Sequence, residues 1–222
     1  MSTIPLSAPP IVLIHGAATT ASVWDAVVAE LHGLDVVAVD RPCTGDLAAE
    51  LEWLAPRVRG ALVVGVSGGA TLGLALAASR VPLAGALLHE PAVGSLAPAL
   101  LAGVAAAYAV GGVEGFGAAL YGAGWDRSMA AYDDAVVARE LPMFRSFEPE
   151  RASQAQGPVL VTVGELSPAG RHDAARALRD RLDYPVTVIP GAVHFVQHDR
   201  PAQYARLIRA THASLGRTAD RL

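Results

Sequence analysis

Six short runs of apolar, largely β-branched or leucine-rich residues recur along this chain, and none of them alternates apolar with polar. They are "PIVLIHG", "DVVAVD", "ALVVGV", "LAGALLH", "PVLVTVG" and "YPVTVIP", each bounded by Gly, Pro or a charge. Unalternating runs of this length predict strands buried on both faces, the pattern of a parallel sheet. Helical patterns fill the intervals. Val23, Val27 and Leu31 are spaced for a helix over 22–31, and Asp46 is placed to cap one over 46–58. Further helices are expected over 67–78, 171–182 and 201–215, the last two with Arg-rich outer faces. Such alternation predicts a doubly wound α/β domain. A chain of 222 residues that is 52% hydrophobic is long and apolar enough to bury one core, so 1–222 reads as a single domain.

One interval breaks the rhythm. Residues 95–150 hold no good strand but carry Phe116, Tyr121, Trp125, Tyr132, Phe144 and Phe147. Leu96, Leu100, Val104 and Tyr108 fall on one helix face. An aromatic-rich helical insertion between two sheet strands predicts a lid over a site. No charge occurs between Glu90 and Glu114, a stretch long enough to cross a bilayer. Its Ala, Gly and two prolines favour a buried or lid helix, and no stable membrane span is expected.

The third run ends in "GVSGG". A strand that must become a helix within one residue leaves no room for side chains beside Ser67, which accounts for the glycines. In that turn the N–H of Gly68 faces the place where an oxyanion would develop, and the helix N-terminus adds positive potential. Ser67 is the candidate nucleophile. His194, in "IPGAVHF" just past the last strand, is the candidate base. His198 lies four residues further on, but no third ligand is obvious, so no metal is expected.

Four segments in order resemble the α/β-hydrolase superfamily, over nearly the whole chain: "IVLIHGAATTASVW", "VVAVDRPCTGD", "GVSGGA" and "PGAVHF". The resemblance implies Ser67 as nucleophile, His194 as base, and the N–H groups of Ala17 and Gly68 as the oxyanion hole. His15 and Gly16 would shape that loop. The chain reaches its His-Gly strand almost at once. The implied fold is therefore a six-stranded, mostly parallel α/β-hydrolase core lacking the first two strands, with a helical lid over 95–150. In family numbering the strand order would be four-three-five-six-seven-eight.

Three positions depart from the family pattern. Cys43 stands where Gly is usual and reads best as a small buried filler. Val193 replaces a common Gly. The expected aspartate is missing, because "VTVGELSP" places Ser167 where the acid normally sits. A histidine base still needs a group to hold its tautomer and stabilise the imidazolium. Glu90 in "LLHEPA" ends the strand after the nucleophile strand and is the leading candidate. Glu165, Asp173 and an acid-free dyad stay open.

Composition narrows the chemistry. All 17 basic residues are Arg, and there is neither Lys nor Asn. That removes Schiff-base chemistry, a P-loop lysine, a Ser-Lys dyad and any Asn oxyanion donor. A formal net charge of −4 argues against nucleic acid as partner. One cysteine and a start lacking the charged and apolar regions of a signal peptide lead us to expect a cytoplasmic protein. The expected function is a cofactor-free serine hydrolase acting on an ester, thioester or lactone of a small, mainly apolar substrate. A lyase or cyclase, or a non-catalytic small-ligand-binding protein, are the alternatives on the same fold.

Overall fold

The computed structural model describes residues 8–131 and 133–219, so Tyr132 and most of the leading segment lie outside it. Strands and helices follow one another as β1 (Ile11–Ile14), α1 (Asp25–Glu30), β2 (Val36–Val39), α2 (Leu47–Val58), β3 (Leu62–Val66), α3 (Gly68–Ala78) and β4 (Gly85–His89). Then come α4 (Ala102–Tyr121), α5 (Ala135–Arg145), β5 (Val159–Gly164), α6 (Ala169–Leu182), β6 (Val186–Ile189), α7 (Val196–Asp199) and α8 (Pro201–Ala219). The six strands form one sheet in the order β2-β1-β3-β4-β5-β6, and every pairing is parallel. This is the order the resemblance implies.

The period of two along each strand divides the core between the sheet's faces. Val12, Ile14, Val63 and Leu88 pack with Leu54, Leu72 and Leu178 on one face. Ile11, Leu13, Leu62 and Leu87 pack with Trp24, Tyr204 and Ile208 on the other. Burial on both faces holds for β1, β3 and β4 throughout. It fails at the edge strands. Val37 and Val188 are each 48% exposed, because β2 and β6 have a neighbour on one side only.

Two helix expectations need correction. The face shared by Leu96, Leu100, Val104 and Tyr108 does not belong to one helix. Leu96 closes a 3-10 turn (Gly94–Leu96), Leu100 precedes α4, and only Val104 and Tyr108 are inside it. Pro98 explains the break, since its ring excludes a helical hydrogen bond and disfavours helical backbone at Ala97. Ala97 accordingly sits at φ −148°, ψ 72°. Arg171, expected on an outer face, is instead buried in the first turn of α6. The helix over 46–58 matches closely, with Asp46 accepting from Ala49 N–H at 3.0 Å.

The insertion between β4 and β5 carries α4 and α5, and its aromatics Phe116, Tyr121, Trp125, Phe144 and Phe147 are all buried. The stretch Ala102–Gly124 is long and apolar enough to cross a membrane by length and composition. It breaks at Gly112 (φ 58°), where helical backbone stops and restarts, and its far end carries Tyr121 to the loop after β1.

Candidate active site

Ser67 sits between β3 and α3 at φ 57°, ψ −120°, a conformation that costs on the order of 1–3 kcal/mol. The turn is held by Ser67 N–H to His89 C=O (2.9 Å) and by two donors from Thr71 to Ser67 C=O. The flanking glycines are there for space. A Cβ at Gly69 would lie 2.1 Å from Ile14 O, and one at Gly65 would lie 2.4 Å from Gly69 O. Five described non-glycine residues have positive φ. Four of them, Ala18, Cys43, Ser67 and Glu90, lie just beyond the C-terminal ends of β1 to β4, so the strain gathers on one side of the sheet. Cys43 is buried, and burial pushes its thiol up to about 12. Its left-handed backbone is the conformation that favours Gly there.

His194 meets Glu90. The two are hydrogen-bonded at 2.8 Å between Nδ1 and Oε2, and both are buried. The other carboxylate oxygen, Oε1, accepts from Gly164 N–H (2.8 Å) and from the Ser167 hydroxyl. The serine that replaces the usual aspartate therefore donates to the glutamate of the neighbouring strand. Burial works against charge on Glu90 but is outweighed, chiefly by the His194 hydrogen bond and the positive groups around it. Its carboxyl is held well below the ordinary range. Glu90 is thus ionised at neutral pH, so Nδ1 donates and the lone pair of His194 sits on Nε2. That nitrogen is buried and has no hydrogen-bond partner. Burial, then the charge of Arg171, push the imidazole down to about 4 against the pull of Glu90.

The other acid candidates are elsewhere. Glu165 accepts from Gly191 N–H at 2.7 Å, and Asp173 is exposed and paired with Arg176. Neither contacts His194. His198 bonds Asp199 and stacks on Phe195, and among the described residues no group of three His, Cys, Asp or Glu is gathered for a metal.

Ala17 and Gly68 come together. A Cβ on Gly68 would lie 3.2 Å from Ala17 N, and neither N–H donates to another group among the described residues. The Ala17 N–H shares its peptide plane with the Gly16 carbonyl, and that carbonyl is clamped by three donors. These are Thr19 Oγ1 (3.0 Å), Arg41 Nη2 (3.2 Å) and His15 Nδ1 (2.8 Å). Fixing the carbonyl fixes the N–H on the opposite side of the plane. His15 Nε2 accepts from Arg41 N–H (3.3 Å), so its Nδ1 is the donor. Burial, then the charge of Arg41, push His15 down to about 3, which keeps that tautomer neutral.

Sequence reasoning missed the groups that hold this loop from the insertion. Glu140 of α5 and Glu50 of α2 both pair with Arg41, and all three side chains are fully buried. Tyr121 donates to Ala17 C=O at 2.6 Å, stacks on His194 and lies against Ser67. Trp125 Nε1 donates to Ala18 C=O at 2.8 Å. None of these carries a local motif. The only signal was the concentration of aromatics in 95–150.

Two cavities adjoin the site. A recess of about 20 Å³ lies at Ser67 and Gly68 beneath Phe116 and Phe144. A larger cavity of about 450 Å³ reaches His194, between residues 96–104, the end of α4 and the start of α6.

The comparisons with known proteins agree with this fold. The sequence model of the alpha/beta hydrolase family matches residues 11–207. No curated protein sequence matches the chain. MenH from S. aureus has a similar structure, with TM-score 0.72 and 13% identity over 96% of each chain. So has a thermophilic esterase from Thermogutta terrifontis, with TM-score 0.64 and 18% identity over 94% of this chain and 90% of that one. The enol-lactonase from Burkholderia xenovorans LB400 gives TM-score 0.64 and 17% identity over 92% of this chain and 91% of its own. At these identities the likeness is one of fold. Taken with the family match over most of its length, the chain belongs to the alpha/beta hydrolase family.

Proposed function

We propose that this hydrolase is a serine hydrolase of small carboxylic esters, thioesters or lactones. The observation that carries the reading is the Glu90–His194 hydrogen bond, which leaves a buried, unpartnered lone pair on Nε2. In this reading Ser67 Oγ attacks the substrate carbonyl and its proton passes to His194 Nε2. The oxyanion is received by the N–H groups of Ala17 and Gly68. Collapse expels the alcohol or thiol, which takes the proton from the imidazolium. Water, deprotonated by the same nitrogen, then releases the acid from Ser67. Esterase and lactonase names among the structural neighbours lend support to this substrate class.

The insertion serves as a lid in this reading. Ser67 is 7% exposed and lies in a small recess beneath Phe116 and Phe144, so a movement of the insertion would widen access to it.

A fluorophosphonate probe tests the nucleophile. The folded protein should label at one site, and Ser67→Ala should abolish both labelling and hydrolysis of p-nitrophenyl acetate. Absence of labelling in folded wild type overturns the proposal. The pH profile tests the base. A neutral His194 is the active form, so kcat/KM should rise with pH through about 4 and be flat above pH 5.5. An acid limb centred at the ordinary histidine value of about 6.5 would refute the downward shift, and no acid limb at all would refute the base.

A further inference from the structure

Among the described residues Arg171 is the one side chain of either charge, other than the exposed Asp173, that lines the large cavity, and it also lines the recess at Ser67. It is 7% exposed. Its Nη1 donates to Glu90 C=O at 3.1 Å, and its Nε lies 3.5 Å from Glu90 Oε2. A guanidinium has five N–H donors in a fixed fork. Here Glu90 takes Nη1 and faces Nε, while Nη2 has no hydrogen-bond partner among the described residues. A buried cationic NH₂ group left over on a residue that lines an apolar cavity needs an anion or water.

The surroundings point the same way. Pro168 and Gly170, at the uncapped N-terminus of α6, line the cavity beside Arg171. The orphan N–H groups of that first turn add positive potential. Leu96, Leu100, Val104 and Leu120 make the remaining wall apolar. Asp173 stands at the rim, but its charge is taken up by Arg176.

We propose that the cavity holds a substrate arm ending in a carboxylate, which is bound by Arg171 while the scissile carbonyl lies at Ser67. The inference rests on the proposed hydrolase reading and names the substrate class within it: half-esters or acyl compounds with a second, free carboxylate. A single negative charge fits better than a phosphate dianion, because the ionised Glu90 already faces the same guanidinium. The apolar wall accommodates the methylene chain between the two ends. Arg171 is then a specificity-determining residue, and its contact with Glu90 fixes the distance between the anion subsite and the base.

The test compares p-nitrophenyl hydrogen adipate with p-nitrophenyl heptanoate, which is similar in length but uncharged. Wild type should favour the adipate at least tenfold in kcat/KM, mainly through KM. Arg171→Gln should erase that preference, and Arg171→Lys should keep part of it. If Arg171 only steadies Glu90, both substrates fall in parallel and the ratio is unchanged, which overturns the proposal. A second measurement does not depend on hydrolysis or on the arginine variants folding. Monomethyl adipate, which keeps one free carboxylate, should bind the Ser67→Ala protein by calorimetry at least tenfold more tightly than the uncharged methyl heptanoate does. Equal or weaker adipate binding defeats the subsite. Tighter adipate binding by a protein that turns over neither ester upholds the subsite while the hydrolase reading fails.

Discussion

Glu90→Gln is expected to lower kcat on an activated ester by about 10⁴-fold while leaving the protein folded. The reason lies in which oxygen faces which donor. Oε1 accepts from the Gly164 amide and the Ser167 hydroxyl, and the amide can only donate. A glutamine must therefore turn its carbonyl oxygen toward Gly164. Its NH₂ then faces His194 Nδ1 and demands a lone pair there. The proton moves to Nε2, and the imidazole can no longer accept from Ser67. Ser167→Ala removes one donor to Oε1 but leaves Gly164 and the His194 bond in place, so its loss should be less than tenfold. Burst kinetics with p-nitrophenyl acetate read both effects directly. An unchanged rate for Glu90→Gln means that some other group supports His194.

The second large effect is expected at Arg41. Arg41→Met leaves Glu50 and Glu140 buried without their cation, and breaking a buried pair in this way costs ~3–5 kcal/mol. For a domain of this size that lowers Tm by roughly 10 °C. The same substitution removes donors to His15 C=O and Gly16 C=O, so the Ala17 N–H loses part of its fixed direction. Loss of one oxyanion donor lowers kcat by about 10²–10³-fold. Calorimetry measures the first effect. Turnover per fluorophosphonate-titrated site measures the second, free of any unfolded fraction. Glu140→Gln can still accept from Arg41 and relieves a surplus of negative charge. It should therefore retain wild-type Tm within a few degrees and most of the turnover. If Arg41→Met is as active per titrated site as wild type, the clamp on the Gly16 peptide has no catalytic role.

The central strands were legible because each is buried on both faces, and a short apolar run without alternation suits few positions except the middle of a parallel sheet. The edges were less legible. "DVVAVD" and "YPVTVIP" look as buried as the rest, yet Val37 and Val188 are half exposed, because a sequence does not announce which strand has one neighbour. Ser67 and His194 were legible because their geometry is local, a crowded turn and a loop just past a strand. Glu90 was reachable only as a candidate. Its partners Gly164, Ser167 and His194 lie 74 to 104 residues away, and the β4–β5 and β5–β6 pairings bring them together. Arg41 and Glu140 are 99 residues apart with no motif between them. The burial of Arg171 is hidden from the sequence, because helical periodicity assigns faces to a helix but cannot say that its first turn points into the sheet's catalytic end.

The direct contact between Ser167 and Glu90 bears on how such a site can change over evolutionary time. The Glu90 carboxylate at the end of β4 joins the His194 imidazole to the Ser167 hydroxyl beyond β5, so the two strand ends meet at one group. A descendant with acids at both seats would have two carboxylates competing for one proton, but it would still have a partner for its histidine. The acid's position can therefore migrate from one strand to the next in two substitutions without passing through an acid-free ancestor. In this chain Ser167, beyond the end of β5, is hydrogen-bonded to the acid at the end of β4.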